Sequence, residues 1–208
     1  MANWCNLRLI ATGHAEDLTA FRRAAGALRG RIKAKQSEIF TAEMEYGEGG
    51  DLEADRIRRF RGQLRSAVYR FQGRNTDYVE HFRYVSQRFP RLAFVLVVSD
   101  PNGDLHGSYR LVNGRQRWWS VPRRVERQIF ARRYCEYGCI HKDGEVDYDY
   151  EYADVAEWDA FFEMMDVAEA RWNDEVLWWI RTLPARTSRS TRSSDQKRII
   201  SRSRRARR

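Results

Sequence analysis

The pattern of hydrophobic and polar residues between positions 3 and 121 predicts five β-strands separated by polar or glycine-containing breaks. The predicted strands are Trp4–Thr12, Leu64–Phe71, Leu92–Val98, Leu105–Val112 and Gln116–Val121. Residues 92–98 are the most apolar of these segments, which is typical of a central strand. Asn113 and Gly114 separate the last two strands and predict a tight hairpin turn, because both residue types tolerate positive φ angles.

Two amphipathic helices are predicted between the first three strands. The first opens at His14, with acidic residues in its first turn, and the second opens at Thr76 and ends at Pro90. Residues 30–63 form a less regular insertion, in which Asp51–Phe60 is predicted to be a charged helix. This element order favours an α+β sandwich with helices on one face of a mainly antiparallel sheet, close to a split βαβ arrangement.

The pattern changes after residue 121. Arg123–Tyr134 is predicted to be a basic helix, Cys135–Ile140 and Val146–Tyr152 a β-hairpin, and Ala153–Leu183 a long helix that ends at Pro184. The predicted organisation is therefore a domain at residues 1–121, a helix–hairpin–helix extension at 122–184 and a disordered basic tail at 185–208. Serine and arginine dominate the tail, and such a composition does not bury enough apolar surface to offset the entropy of ordering.

Charge is divided into three blocks of alternating sign. The formal net charge of the chain is +9, and residues 186–208 alone hold nine Arg and Lys197 against Asp195. Residues 136–175 hold fourteen acidic side chains and only two basic ones, while residues 1–135 carry an excess of cations. We therefore expect part of this charge to be satisfied within the molecule or between copies of it. The tail is an obvious partner for the acidic block until a stronger polyanion displaces it.

Two segments have the composition of a nucleic-acid-binding surface. The tail offers freely moving cations, and residues 115–124 interleave arginines with two tryptophans, so that guanidinium groups can meet phosphates while rings stack on bases. The alternative for the tryptophans is that one faces the core and the other lies under the C-terminal helix. The candidate contact residues are Arg115, Arg117, Trp118, Trp119, Arg123, Arg124, Arg186, Arg189, Arg192, Lys197, Arg198, Arg202, Arg204, Arg205, Arg207 and Arg208.

A second interpretation places the function on the acidic segment. A row of carboxylates at 136–175 can engage a host protein, and a solvated acidic face is the plainer alternative. The long C-terminal helix also carries more large apolar residues than one buried face needs, which predicts a core or a dimer surface. These residues are Trp158, Phe161, Phe162, Met165, Trp172, Trp178 and Trp179.

No catalytic, cofactor or metal site is predicted. Cys135, Cys139 and His141 are the one candidate metal cluster, but zinc sites usually combine two close ligand pairs and only one pair is present. The sequence contains no P-loop and no glycine-rich dinucleotide fingerprint. Sequence order cannot align the three cysteines with the four histidines as a nucleophile and its base. A binding protein is therefore favoured over an enzyme.

The opening segment Asn3-Trp4-Cys5-Asn6, followed by alternating apolar residues up to Gly13, resembles the first strand of the YubB-type ferredoxin-like proteins of bacterial plasmids and phages. The similarity extends loosely over residues 2–120 through Tyr84–Pro90 and the Asn113-Gly114 hairpin. Phe60–Leu64 departs from the family, because it lacks both tryptophans of the usual Trp-Gly-Thr-Lys-Trp-like segment. The resemblance implies a ferredoxin-like fold and a mobile-element setting, and no catalytic residues.

The cellular compartment is predicted from the targeting and membrane-spanning segments that the sequence lacks. It contains no run of 18 uncharged apolar residues and no N-terminal leader with a charged start and an apolar block. Three cysteines fit a reducing interior better than secretion. We therefore expect a cytoplasmic protein that does not act at a membrane, with oligomer formation left open.

Overall fold

The structure is a mixed α/β fold built on one antiparallel sheet. This computed structural model describes residues 4–26, 31–33, 37–41, 44–45, 51–54, 57–60, 62–74, 76–100, 105–140, 145, 150–181 and 183. Its strands are β1 (Trp4–His14), β2 (Arg31–Lys33), β3 (Met44–Glu45), β4 (Asp51–Ala54), β5 (Arg58–Arg59), β6 (Leu64–Arg74), β7 (Ala93–Asp100), β8 (Leu105–Val112) and β9 (Arg115–Ser120). The helices are α1 (Ala15–Ala24), α2 (Val79–Arg88), α3 (Arg123–Glu136) and α4 (Tyr150–Arg181).

Seven strands follow the order β2-β4-β6-β1-β7-β8-β9, and the short strands β3 and β5 also pair with β6. Every pairing is antiparallel. Because β6 and β7 both lie antiparallel to β1, they run parallel to each other on its two sides. The helix α2 connects them, so β6–α2–β7 forms a split βαβ unit around β1.

Helices cover both faces of the sheet. The first face packs against α1 and α2, as the sequence predicts, through residues that include Leu7, Leu9, Leu18, Phe21, Tyr69, Phe71, Phe82, Phe94 and Leu96. The second face packs against α3 and α4 through residues that include Ile10, Val95, Val97, Val112, Ile129, Ala160, Met164 and Trp172. Since β7 contributes alternate side chains to both cores, its apolar run is explained by burial on two sides.

The hairpin between β8 and β9 forms as predicted. Asn113 and Gly114 have φ angles of 46° and 78°, the left-handed conformation that a two-residue type I′ turn requires. The backbone N–H of Gly114 donates a hydrogen bond to Ser86 Oγ at 2.8 Å, which ties the turn to α2. A side chain at position 114 would also collide with Gln87. This turn sets the register of β9, the last strand of the sheet.

Two predicted elements are wrong. Asp51–Phe60 is not a helix, because residues 51–54 and 58–59 form the strands β4 and β5 beside β6. The predicted C-terminal hairpin is also incorrect: Cys135 belongs to α3, and Tyr150–Tyr152 form the start of α4. Residues 141–144 and 146–149 lie outside the described part of the chain, as do residues 184–208 with all of the predicted tail contacts.

Candidate nucleic-acid interface

Strand β9 lies at the end of the sheet and carries exposed arginines. It pairs with β8 through its inner edge, and no other strand of the described residues follows it in the sheet order. The side chains of Arg115 and Arg117 are exposed. They lie on the same face of the sheet as Trp119, which packs against the second core, where α3 and α4 lie. Six residues of strand span about 20 Å, and Arg115 and Arg117 lie about 7 Å apart near its start.

The first turns of α3 extend this positive surface. Arg123, Arg124 and Arg127 are exposed, and Arg127 Nε lies 3.4 Å from the Arg123 carbonyl oxygen, to which it donates. A helix N-terminus carries a partial positive charge, so cations there do not stabilise the helix. Their position adds to the positive potential instead. We name Arg115, Arg117, Arg123, Arg124 and Arg127 together the basic edge.

The arginines of the basic edge differ from many others in the chain because none of them forms an ion pair with a carboxylate of the described residues. Ion pairs elsewhere involve Arg8, Arg70, Arg83, Arg88, Arg91, Arg110, Arg132, Arg133 and Arg171. An exposed cation without an internal partner keeps its full charge available to an external anion. The sequence identified four of these five residues, and it missed Arg127.

The two tryptophans of β9 point to opposite faces of the sheet. Trp118 packs against the first core, where its ring lies 4.4 Å from that of Tyr109, measured between centroids. Trp119 packs against the second core, and the guanidinium carbon of Arg110 lies 6.0 Å from its ring centroid. Both rings are half-buried. Each tryptophan therefore faces a core, one on either side of the sheet, so stacking on bases is limited to the exposed part of each ring.

A partly buried charge cluster on β8 and α4 lies next to the basic edge. Arg110 is only 1% exposed, and its Nε lies 3.0 Å from Glu175 Oε2 on α4. Arg171 Nε lies 2.8 Å from the other oxygen of the same carboxylate. Burial lowers the pKa of Arg110, Glu175 opposes this effect, and the charges of Arg171 and Arg117 add to the lowering. One carboxylate is therefore shared by two guanidinium groups, with the charge of Arg117 close to Arg110, which leaves this end of the sheet positive.

Much of the acidic segment is paired inside the molecule. Asp166 and Glu169 of α4 bind Arg8 of β1, and Glu163 accepts hydrogen bonds from Arg132 and Arg133 of α3. Burial opposes the charge of Arg8, but its hydrogen bonds to Glu169 and Asp166 outweigh burial and raise its pKa. The prediction that charge is satisfied within the molecule is confirmed for these residues. The host-protein interpretation stays a prediction, with fewer free carboxylates than the sequence suggested.

The described residues bring no metal-binding group together. Cys135 is exposed on α3 and Cys139 is buried beyond its end, while His141 lies outside the described residues. No three His, Cys, Asp or Glu side chains of the described part of the chain converge on one point. The pKa of buried Cys5 is raised to about 12, chiefly by desolvation, so its thiol stays protonated.

The nearest approach to a catalytic arrangement is buried. Ser99 Oγ lies 3.0 Å from His106 Nδ1, and His106 Nε2 lies 3.8 Å from a Glu126 carboxylate oxygen. The ring of His106 stacks on Phe161, and both Ser99 and His106 are enclosed between the sheet and the helices. A nucleophile needs access to its substrate, so this group is read as a core hydrogen-bond network.

A surface cavity within the described residues lies between the start of α1 and the end of α2. Its volume is about 250 Å³, and its lining includes Asp17, Arg88, Phe89 and Arg91. Asp17 forms an ion pair with Arg91 there. The volume lies below the range of about 300 to 1,000 Å³ that is common for ligand pockets. The lining residues also include no nucleophile beside a base.

None of the helices in the described ranges combines the length and apolarity that a membrane crossing requires. The chain matches no protein-family model, and searches of curated proteins and of solved structures find no match to it. The resemblance of its first strand to the YubB-type proteins therefore stays a prediction, and the function is argued from the surface itself.

Proposed function

We propose that this protein binds nucleic acid without sequence specificity through the basic edge, and that the cations of residues 186–208 add to the same binding. The observation that carries the proposal is the contrast within one chain between paired arginines and the exposed arginines of the basic edge, which form no ion pair with any described carboxylate. We propose a non-catalytic role, and the setting of a cytoplasmic mobile-element protein is kept as part of the proposal.

The dimensions of the basic edge suit a phosphate backbone. Double-stranded DNA carries about one charge per 1.7 Å of helix axis, so an edge about 20 Å long lies opposite several phosphates. Arginine forms bidentate contacts with phosphate oxygens and is weakly hydrated, which favours this use. Binding of this kind releases counterions, so the affinity falls steeply as salt rises.

A different reason for arginines on β9 is protection of the sheet edge. Charged residues on an edge strand discourage pairing with another chain. This reason covers Arg115 and Arg117, but not the three arginines at the start of α3, where the helix dipole makes cations unfavourable. The extension of the surface from strand to helix therefore supports anion binding over edge protection alone.

We also propose that the core of the protein is ferredoxin-like. It is supported by the split βαβ unit of β6, α2 and β7 around β1. The sheet is larger than that unit requires, because β2 and β4 extend it on one side and β8 and β9 on the other. In such a fold, the basic edge lies on β9 and α3, which are additions to the split unit.

The test is a salt titration of binding to a labelled DNA duplex and to a labelled single strand. The variant Arg117→Gln/Arg124→Gln removes two charges from the basic edge, and Arg23→Gln/Arg59→Gln removes two exposed charges from the opposite half of the sheet. We expect the first variant to reduce the slope of log affinity against log salt by about 2, since each phosphate contact contributes about 0.9. The control should keep the slope of the unmodified chain. Equal slopes for both variants would overturn the proposed function.

A further inference from the structure

The N-terminal half of α4 has two apolar sides. Its inner side, with Ala160, Phe161, Met164 and Met165, is buried in the second core. Its outer side presents Tyr152, Val155, Trp158 and Phe162, each at least 40% exposed. We name these four residues the α4 aromatic face. Their spacing of three or four residues places them along one stripe of the helix, and the rings of Trp158 and Phe162 lie 6.2 Å apart between centroids.

Carboxylates border the α4 aromatic face. Asp154 and Asp166 are exposed on α4 beside it, and Asp166 also pairs with Arg8. If two copies of the chain paired through this face, the same carboxylates would meet across the interface, and like charges placed together oppose association. The chemistry of the surface therefore fits an occupant that carries cations together with a few apolar side chains.

The chain itself contains a segment with that composition. Residues 186–208 carry nine Arg and Lys197, and Ile199 and Ile200 stand among them. The segment follows α4 directly, so its reach can be compared with the length of the helix. At 1.5 Å per residue, Phe162 lies about 32 Å from Leu183 along α4. The 16 residues from Leu183 to Ile199 can span at most about 55 Å, which is more than enough.

We propose that residues 186–208 dock on the α4 aromatic face of the same chain. Ile199 and Ile200 contact Trp158 and Phe162, and a neighbouring arginine meets Asp154. Because the segment is tethered to the end of the same helix, a short linker holds it at an effective concentration in the millimolar range. A contact that is weak between separate molecules is therefore enough to be populated. The inference concerns the α4 aromatic face and does not depend on the basic edge.

The experiment is photo-crosslinking in the full chain. Benzoylphenylalanine replaces Phe162 in one sample and Tyr84 in the matched control, because Tyr84 is 62% exposed on α2, on the other side of the sheet. A mixture of ¹⁵N-labelled and unlabelled chains separates crosslinks within one chain from those between chains. Residues 186–208 contain no aromatic residue, so chymotrypsin leaves them largely in one peptide.

We expect position 162 to crosslink to the 186–208 peptide of the same chain several-fold more than position 84. The variant Ile199→Ser/Ile200→Ser should reduce the yield at position 162 toward the control level while every charge is kept. Equal yields from positions 162 and 84 would overturn the inference. Crosslinks that join labelled and unlabelled chains would overturn it as well, because a second copy would then be the occupant.

Discussion

Arg110 and Arg117 are register partners on neighbouring strands, and their side chains lie on the same face of the sheet. Arg110 is enclosed under α4 and is paired with Glu175, whereas Arg117 is exposed at the basic edge without a carboxylate partner in the described residues. The difference arises because α4 crosses β8 but leaves β9 uncovered on its outer side. Identical residues one strand apart therefore differ in environment, and we propose that one serves stability and the other the contact with an external anion.

The largest expected effect comes from removing the buried member of this pair. Arg110→Met leaves Glu175 facing the sheet with only Arg171, so we expect a loss of about 2 to 3 kcal/mol in the free energy of unfolding. Arg117→Met should change it by less than about 0.5 kcal/mol. Urea denaturation of the two variants measures this difference. A similar loss of unfolding free energy in both variants would contradict the different roles of Arg110 and Arg117.

A double variant sharpens the same measurement. When Glu175→Gln is combined with Arg110→Met, the only charge left at the site is that of Arg171, which is half exposed to water, so the double variant should be more stable than the sum of the single losses implies. Additive losses would mean that Arg110 acts through packing against Trp119 and not through its ion pair.

A smaller effect is expected at the contact between α3 and α4. Burial raises the pKa of Glu163, but Arg132 and Arg133 outweigh burial and lower it below the ordinary value. A depressed pKa stabilises the fold above the pKa of the unfolded chain, about 4.3, and this contribution disappears as pH falls through the lower pKa of the folded state. After allowance for solvent screening, Glu163→Gln should cost about 0.5 to 1 kcal/mol at neutral pH.

Urea midpoints at several pH values test this prediction. The difference in urea midpoint between the unmodified chain and Glu163→Gln should be largest at neutral pH and should disappear in acid, below about pH 4. The same variant should leave the salt dependence of nucleic-acid binding unchanged, because Glu163 neutralises arginines that do not belong to the basic edge. A gap that stays constant with pH would contradict the assigned role of the carboxylate.

The smallest effect on stability is expected when the basic edge is given an internal partner. Gln128 is exposed on α3, four residues after Arg124, so Gln128→Glu creates a new ion pair along the helix. The gain in stability should be only about 0.2 to 0.3 kcal/mol. The salt slope of binding should nevertheless fall by about 1, since one cation is engaged. Gln128→Lys is the matched control, and it should raise the slope because it adds a cation to the same surface. Equal slopes for the two variants would contradict a contribution of this surface to binding.

The hydrophobic periodicity of the sequence was enough to predict α1, α2, β7 and the β8–β9 hairpin. In each of them, the buried positions or the turn residues can be seen within the segment itself. It failed at residues 51–60, where charged helix-forming residues adopt the strands β4 and β5 through pairing with β6. It failed again near Tyr150, where an alternation of tyrosine and acidic residues imitates a strand at the start of α4. In both places a tertiary partner outweighs the local preference.

The basic edge was partly predictable. Its arginines stand close together in sequence at 115–124, and this density indicated an anion-binding surface. What could not be predicted is which arginines remain unpaired among the described residues, since several of the carboxylates that neutralise the others lie on α4, far along the chain. Arg110 shows the difficulty best: it lies in β8, and its partner Glu175 is separated from it in sequence by β9 and α3.

The position of α4 at the end of the described chain has a consequence for biosynthesis. The second face of the sheet, with Ile10, Val95 and Val97, stays open to water until Trp172 and its neighbours have left the ribosome. β1 can meanwhile pair with β6 and β7, so a nascent chain presents a formed sheet with one bare apolar side. Such surfaces bind chaperones or one another when protein is concentrated. The rate at which translation passes through α4 therefore sets how long each new molecule is vulnerable to aggregation.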